Sequence, residues 1–411
     1  MSASRSFSVA SLYVHWPYCK RRCTYCNFNK YVSKFVDHER MRRCLVRELK
    51  TVLGLSGVSS VSSVFFGGGT PSLAEPRTIE SVLTAVRQTT AMAEDAEVSM
   101  EVNPTALEID KLKEFHLAGV NRVSIGVQTL DGRGLAILGR DHSAQDSLRC
   151  LEAAKKLFPN QVSVDLIFGW PGQDVEMWQR ELNHILGVCD KHISLYQLTL
   201  ERGTQLFKLV QSGQASVPND QHMEEMYLQA VQILADNGFE RYEVSNFARE
   251  GCYGQHNLSY WTGRPYIGIG PGAHGRFRPG DRQLHEARVQ TLEPPDWMWE
   301  VEKFGHATRK ATPLSVIQQL EELLIVGLRT KWGISNQMWQ SVSPETNMME
   351  ILAESMEIQQ HFQNGLLELD KIGLRATSAG MNVLDSILPD LLNALDSHHT
   401  AHTSPFAQDP T

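Results

Sequence analysis

The sequence predicts an α/β protein: a partial (βα)6, TIM-like barrel followed by a mostly helical, winged-helix-like C-terminal domain. Six short apolar, β-branched runs punctuate the first two hundred residues. Stretches with apolar residues at helical spacing separate them, and that alternation argues for βα units and a parallel sheet. After residue 205 the rhythm gives way to longer helices and one small hairpin. In a barrel of this kind, chemistry gathers where the strands end.

Taken in order, the strand runs are SLYVHW (11–16), SSVFFGG (62–68), EVSMEVN (97–103), RVSIGVQ (122–128), VSVDLIFG (162–169) and ISLYQLTL (193–200). HERMRRCLVRELKTVL and TIESVLTAVRQ are the first helical patterns between them. Residues 219–237 read as an amphipathic helix closed by Gly238, followed by a segment rich in aromatics and glycine. Pro294 and Pro295 mark a linker. A long helix is expected from Pro313, another over 347–364, a hairpin turned at Gly373, and a last helix from Met381 to Leu395. From His398 the chain is polar and is expected to be disordered. The resulting division is 1–11 as an N-terminal segment, 12–205 as the barrel core, 206–290 as its extension, 291–397 as the C-terminal domain and 398–411 as a tail.

Composition narrows the function. Of 411 residues, 39 are Lys or Arg and 47 are Asp or Glu, a net charge of −8 that disfavours binding by phosphate neutralisation. No window approaches ~18 consecutive apolar residues, so no membrane span is expected. Seven cysteines, three crowded at 19, 23 and 26, make a poor disulfide framework and point to metal or redox chemistry. The opening MSASRSFSVAS lacks acids and faintly resembles the end of a mitochondrial transit peptide, though it is short for one.

The sharpest local signal is CKRRCTYC directly after the first strand. On a helix, spacings of four and three would string Cys19, Cys23 and Cys26 along one face. Pro17 and the lack of an apolar stripe favour a loop instead. Structural zinc wants four closed ligands, and no fourth thiol follows Cys26. Three thiolates suit a cluster with one open metal position; zinc and inert packing stay as alternatives. The second strand ends in FFGGGTPS, where Gly67, Gly68 and Gly69 let backbone approach a ligand. Glu101, Gln128, Arg140 and Asp165 fall at or near successive strand ends. Each alone reads as a satisfied structural group; together at one barrel face they favour a ligand site. His256, beside Tyr260 and Trp261, suits either a pinned structural histidine or an axial heme ligand, and His274 is a weaker candidate. Gly270–Gly275 fits GxGxxG formally, but the RFRPGD that follows cannot start an apolar helix, so a dinucleotide site is not expected. Cys44, Cys150 and Cys189 read as core thiols.

The CxxxCxxC loop, the GGGTP run and these polar residues resemble the radical SAM superfamily, in its HemN/HemW branch, and the resemblance runs over nearly the whole chain through HNLSYW, GIGPGAHG and the C-terminal module. It implies a [4Fe–4S] cluster on Cys19, Cys23 and Cys26, whose unique iron binds S-adenosylmethionine. It further implies cofactor contacts from Tyr13, Phe28, Gly68, Gly69, Thr70, Glu101, Gln128, Arg140, Asp165, Thr199 and His256. Oxygen-independent coproporphyrinogen oxidases carry a fourth cysteine two residues after the third; here that place is Phe28. This departure matches the HemW-type heme chaperones, which bind heme and are implicated in delivering it to respiratory proteins. The oxidase is the competing enzyme reading. Mitochondrial location is implied for animal members, with the cytoplasm as alternative.

Overall fold

The computed structural model describes residues 8–280 and 285–403. Six parallel strands form the barrel wall: β1 (Val9–Trp16), β2 (Ser60–Gly68), β3 (Ala91–Val102), β4 (Arg122–Gln128), β5 (Val162–Phe168) and β6 (His192–Gln197). Each matches one of the six apolar runs. Successive side chains of a strand point to opposite faces. On β1 the outward set Ala10, Leu12, Val14 and Trp16 is buried. The inward set Ser11, Tyr13 and His15 carries the polar groups. A serine recurs on the inner face of every wall strand: Ser11 pairs with Ser63, Ser99 with Arg122, Ser124 with Ser163, and Asp165 with Ser194. The barrel is thus apolar outside, against its helices, and hydroxyl-rich inside.

Six further strands extend this wall: β7 (Glu240–Glu243), β8 (Asn246–Ala248), β9 (Tyr266–Ile269), β10 (His274–Phe277), β11 (Glu286–Gln290) and β12 (Thr308–Pro313). The sheet order among the described residues is β12-β11-β10-β9-β1-β2-β3-β4-β5-β6-β8-β7. The barrel stays open, with β9 parallel to β1 and β8 antiparallel to β6. The GIGPGAHG stretch forms β9, a turn and β10, so it is a hairpin and not a phosphate loop. Gly268 is required there, because a Cβ would lie 1.9 Å from the His274 carbonyl oxygen.

Helices Pro76–Thr89, Ala106–Leu117, Ala144–Leu157 and Val175–Val188 cover the wall. Ser143 closes a capping box with Asp146, and Asp174 caps the helix that follows it. Residues 219–237 form the expected helix, Asp220–Asp236, capped by Asn219.

Past residue 290 the structure corrects several expectations. Pro294 and Pro295 open a helix, Pro294–Phe304, instead of a linker, since proline at the first helical turn has no amide to lose. Pro313 ends β12, and the next helix begins at Val316, capped by Ser315. The stretch 347–364 is two helices, Met348–Ala353 and Met356–Gln363, because Ser355 starts a new cap by accepting the Ile358 amide. The helix expected over 381–395 is Leu384–Thr403, which runs through His398 and is preceded by the turn Ser378–Asn382. The rest of the expected disordered tail, 404–411, and residues 1–7 lie outside the described residues. The hairpin at Gly373 joins Leu367–Leu369 to Gly373–Ala376, with Ile334–Ser335 as a third strand. A second core, including Leu324, Trp339, Ile358, Leu374 and Leu391, fills this helical module.

Candidate functional site

A cavity of about 360 Å³ opens at the C-terminal ends of the wall strands. Its first side is the cysteine loop. Thr24 stitches that loop to the barrel, its amide on the Leu138 carbonyl and its hydroxyl on that of Ile137. Asn29 holds the far end, donating to the carbonyls of Pro271 (2.9 Å) and Leu292 (3.1 Å). Residues 20–30 are loop, as their sequence implied, and Cys19, Cys23 and Cys26 all line the cavity as free thiols. Among the described residues, no three His, Cys, Asp or Glu side chains converge on a point that would hold one metal ion. Thiolates on a cube need no such convergence, since each takes its own iron.

Two donors reach the sulfurs. The Thr70 hydroxyl lies 3.4 Å from Cys19 Sγ and an Arg140 guanidinium nitrogen 3.4 Å from Cys23 Sγ. Burial pushes the Cys19 thiol up to about 11, while the Thr70 bond favours its thiolate.

The second side is the glycine run. Gly68 has φ +110, and a Cβ there would strike the His15 ring at 2.4 Å. Its amide donates to Glu101 Oε2 at 3.1 Å. Glycine is thus needed at Gly68 for its backbone conformation and for the closeness of His15 together.

The floor carries the charge. Burial, with the Asp165 carboxylate beside it, pushes Glu101 up to about 8 despite the Gly68 amide. Asp165 is raised to about 6 by burial, opposed by serine hydroxyls. The Ser124 hydroxyl reaches both its oxygens at 2.8 Å. Behind it Ser163 contacts His192 Nδ1 at 2.7 Å, and His192 Nε2 contacts the Tyr242 hydroxyl at 2.7 Å. Gln128 adopts φ 65 at a break in the β4 register, a conformation that a glutamine holds only under constraint from its surroundings. Arg140 is fixed by the Gly126 carbonyl at 3.1 Å and by Asn103, yet its buried Nε has no partner among the described residues. An orphaned donor beside three thiols and two buried carboxyls fits a zwitterionic ligand next to an iron–sulfur cluster.

The cavity brings together most of the residues singled out from sequence: the three cysteines, Phe28, Gly68, Gly69, Thr70, Glu101, Gln128, Arg140, Asp165 and Thr199. Tyr13 and His256 do not line it. The Tyr13 hydroxyl meets His15 Nδ1 at 3.0 Å behind the glycine run. His256 is buried below, with Nδ1 on Ser63 Oγ (3.0 Å) and Nε2 on the Tyr260 hydroxyl (2.6 Å). Burial lowers it to about 3, so its ring is neutral and both nitrogens are engaged. His274 lies in β10, away from the cavity. Sequence reasoning missed Tyr25, Asn103, Ser124 and Tyr196, which also line the cavity. Tyr25 inside CTYC and Asn103 two places after Glu101 carried a usable signal; Ser124 and Tyr196 differ in nothing from ordinary strand residues.

Comparison with known proteins agrees with this geometry. The radical SAM superfamily model matches residues 13–185, and the HemN C-terminal domain model matches residues 314–383. The chain is 54% identical to radical S-adenosyl methionine domain-containing protein 1, mitochondrial, of Danio rerio, over 94% of this chain and 88% of the relative. It is 38% identical to the heme chaperone HemW of Escherichia coli (strain K12), over 68% of this chain and 74% of the relative. The Escherichia coli coproporphyrinogen III oxidase HemN, described as a radical SAM enzyme, shares the fold with a TM-score of 0.76 at 20% identity, covering 97% of this chain and 92% of that one. This chain therefore belongs to the radical SAM superfamily, in the branch of the HemW heme chaperones and their mitochondrially named relatives.

Proposed function

We propose that this protein is a heme chaperone of mitochondria that passes heme to respiratory heme proteins and carries a [4Fe–4S] cluster and S-adenosylmethionine. The observation that carries the reading is the cavity itself: three free thiols on its loop side, an orphaned Arg140 donor and two buried carboxyls on its floor. Cys19, Cys23 and Cys26 would hold the cluster. Gly68, Gly69, Thr70, Glu101, Gln128, Arg140, Asp165 and Thr199 would hold S-adenosylmethionine. When bound, the pair supplies one-electron cleavage of a sulfonium.

The residues themselves bind, orient and neutralise. Arg140 offers a donor to an anionic group and another to the Cys23 sulfur. Glu101 and Asp165 offer carboxylates to a cationic group, and their burial keeps water from competing. Tyr13 and His256 act from behind, Tyr13 through His15 and His256 through Ser63. The engaged ring of His256 would have to break two hydrogen bonds to reach a heme iron, so we place it as a pin of the barrel floor.

Phe28, where the oxidases place a fourth cysteine, and relatives named heme chaperone HemW favour the chaperone over the oxidase. Titrating the protein with hemin tests the reading: a saturable Soret shift is expected, and its absence overturns the chaperone. Anaerobic reconstitution should give about four irons per chain, lost on Cys19→Ala, Cys23→Ala or Cys26→Ala; retention in all three ends the cluster assignment. Turnover of coproporphyrinogen III to protoporphyrinogen would instead establish the oxidase.

A further inference from the structure

Between Cys19 and Val36 the chain carries five cations, Lys20, Arg21, Arg22, Lys30 and Lys34, and no acid, although acids outnumber bases 47 to 39 overall. The same segment exposes three large apolar side chains: Phe28 (65%), Val32 (52%) and Phe35 (88%). Singly exposed apolar residues are ordinary, but three within eight residues of one cationic loop concentrate apolar surface that solvent alone does not explain.

The patch is rigid. Tyr31–Val32 pairs with Tyr18–Cys19, which sets Val32 across from Cys19. The Lys30 ammonium donates to the Cys26 and Phe28 carbonyls, the latter at 3.3 Å. The Ser33 hydroxyl bonds both the amide (3.2 Å) and the carbonyl (2.6 Å) of Phe35 and fixes that residue outward. The patch is also continuous with the cavity, since Phe28, Lys20 and Arg21 line it. Lys20, Arg21, Arg22 and Lys34 are exposed and form no ion pair among the described residues.

We infer that the outward face of residues 28–35, with its cationic rim, is the landing site for a flat dicarboxylate porphyrin, heme. The macrocycle lies on Phe28, Val32 and Phe35, and its propionates meet the unpaired lysines and arginines. This rests on the heme reading proposed above and gives that heme a place. A ligand that is both broad and apolar and doubly anionic at one edge answers both halves of the patch; a purely apolar or purely anionic ligand answers one. Because Val32 is paired with Cys19, heme seated here lies against the cluster loop and is held apart from the barrel floor.

The test uses the full chain with its cluster, titrated in parallel with hemin and with hemin dimethyl ester, whose propionates are capped. Val32→Ser/Phe35→Ser is expected to raise the apparent Kd for hemin by about tenfold or more. Arg22→Glu/Lys34→Glu is expected to do the same for hemin while leaving the weaker ester binding unchanged. Iron and sulfide content equal to that of the unaltered protein shows that both variants are folded. If the unaltered protein binds hemin and both variants bind it with the same Kd, the site is wrong and the heme reading stands. If the unaltered protein binds no hemin, the heme reading itself falls. If Val32→Ser/Phe35→Ser abolishes self-association without weakening hemin, the face is a contact between copies and the inference is overturned.

Discussion

At the scale of single residues, the site sets two carboxyls against burial, neither with an ion pair among the described residues, though the Arg122 charge acts on Asp165. Glu101 is pushed up to about 8 by burial first and by Asp165 second, so below that pH the free protein holds it protonated. A cationic ligand favours the carboxylate, so binding must release the proton. Affinity for S-adenosylmethionine should therefore rise with pH, by up to about tenfold per unit on the acid side of that value, and level off above it. Equilibrium binding measured from pH 6.5 to 9 checks this, with Glu101→Gln expected to bind weakly and without the slope. An unchanged slope in that variant would assign the proton elsewhere. Residue types were legible here because the chemistry is encoded by position: three thiols after a strand, a glycine run at the end of the next, and single polar groups among apolar runs, although Arg140 follows the helix Gly132–Leu138 and Asp165 sits at the middle of β5 and not at a strand end. His256 was not. Nothing in GQHNLSYW tells whether an imidazole faces the cavity or the floor, and only the strand pairing that sets Ser63 under its ring decides it.

At the scale of elements, the helix His38–Ser56 adds one buried acid to the apolar face it packs on the barrel. Glu48 Oε2 accepts the Gly270 amide (2.8 Å) and the Trp297 indole (3.0 Å), and Oε1 accepts the Ala307 amide (2.9 Å). It thus binds the β9–β10 turn and the helix Pro294–Phe304 to the first helix. Burial outweighs these three donors and raises Glu48 from its ordinary 4.5 to about 7. A folded state that holds its proton more tightly than the unfolded chain is favoured in acid. This contribution is complete below 4.5 and is lost as pH rises through about 7, on the order of 3 kcal/mol in all. Glu48→Gln should flatten that portion of the stability curve, measured by urea unfolding between pH 5 and 7.5. It should also cost ~1–3 kcal/mol, because an amide NH2 would face one of the donors. A variant that keeps the slope would remove Glu48 from the account. The six wall strands were readable because each is a short, β-branched run bounded by turn residues and separated from the next by a helical pattern. The helix at Pro294 and the break before Met356 were not, since proline and serine mark a helix start as readily as a linker.

At the scale of the whole molecule, the C-terminal module pairs with the end of the edge strand β7, and an uncovered edge strand invites pairing with other chains. The Val244 amide donates to the Arg329 carbonyl (3.1 Å) and the Lys331 amide to the Tyr242 carbonyl (3.1 Å), so the module supplies backbone to the end of the sheet. The lock between them is ionic. Glu243, buried at the end of β7, accepts the Ser245 amide and the Asn246 side chain on one oxygen, and on the other Arg329 at 2.8 Å and 2.6 Å. Removing the cation leaves a buried carboxylate with neutral donors only, a loss worth ~3 kcal/mol or more. Arg329→Met should therefore destabilise the chain by about that amount in urea. Arg329→Met/Glu243→Gln should recover much of it, because no uncompensated charge is then left inside. Equal and additive losses from the two single substitutions, with no recovery in the double, would show that Glu243 and Arg329 act separately and that the backbone bonds and the other side-chain bonds, such as Arg241 to Ser378 and Asn382, hold the module on the barrel.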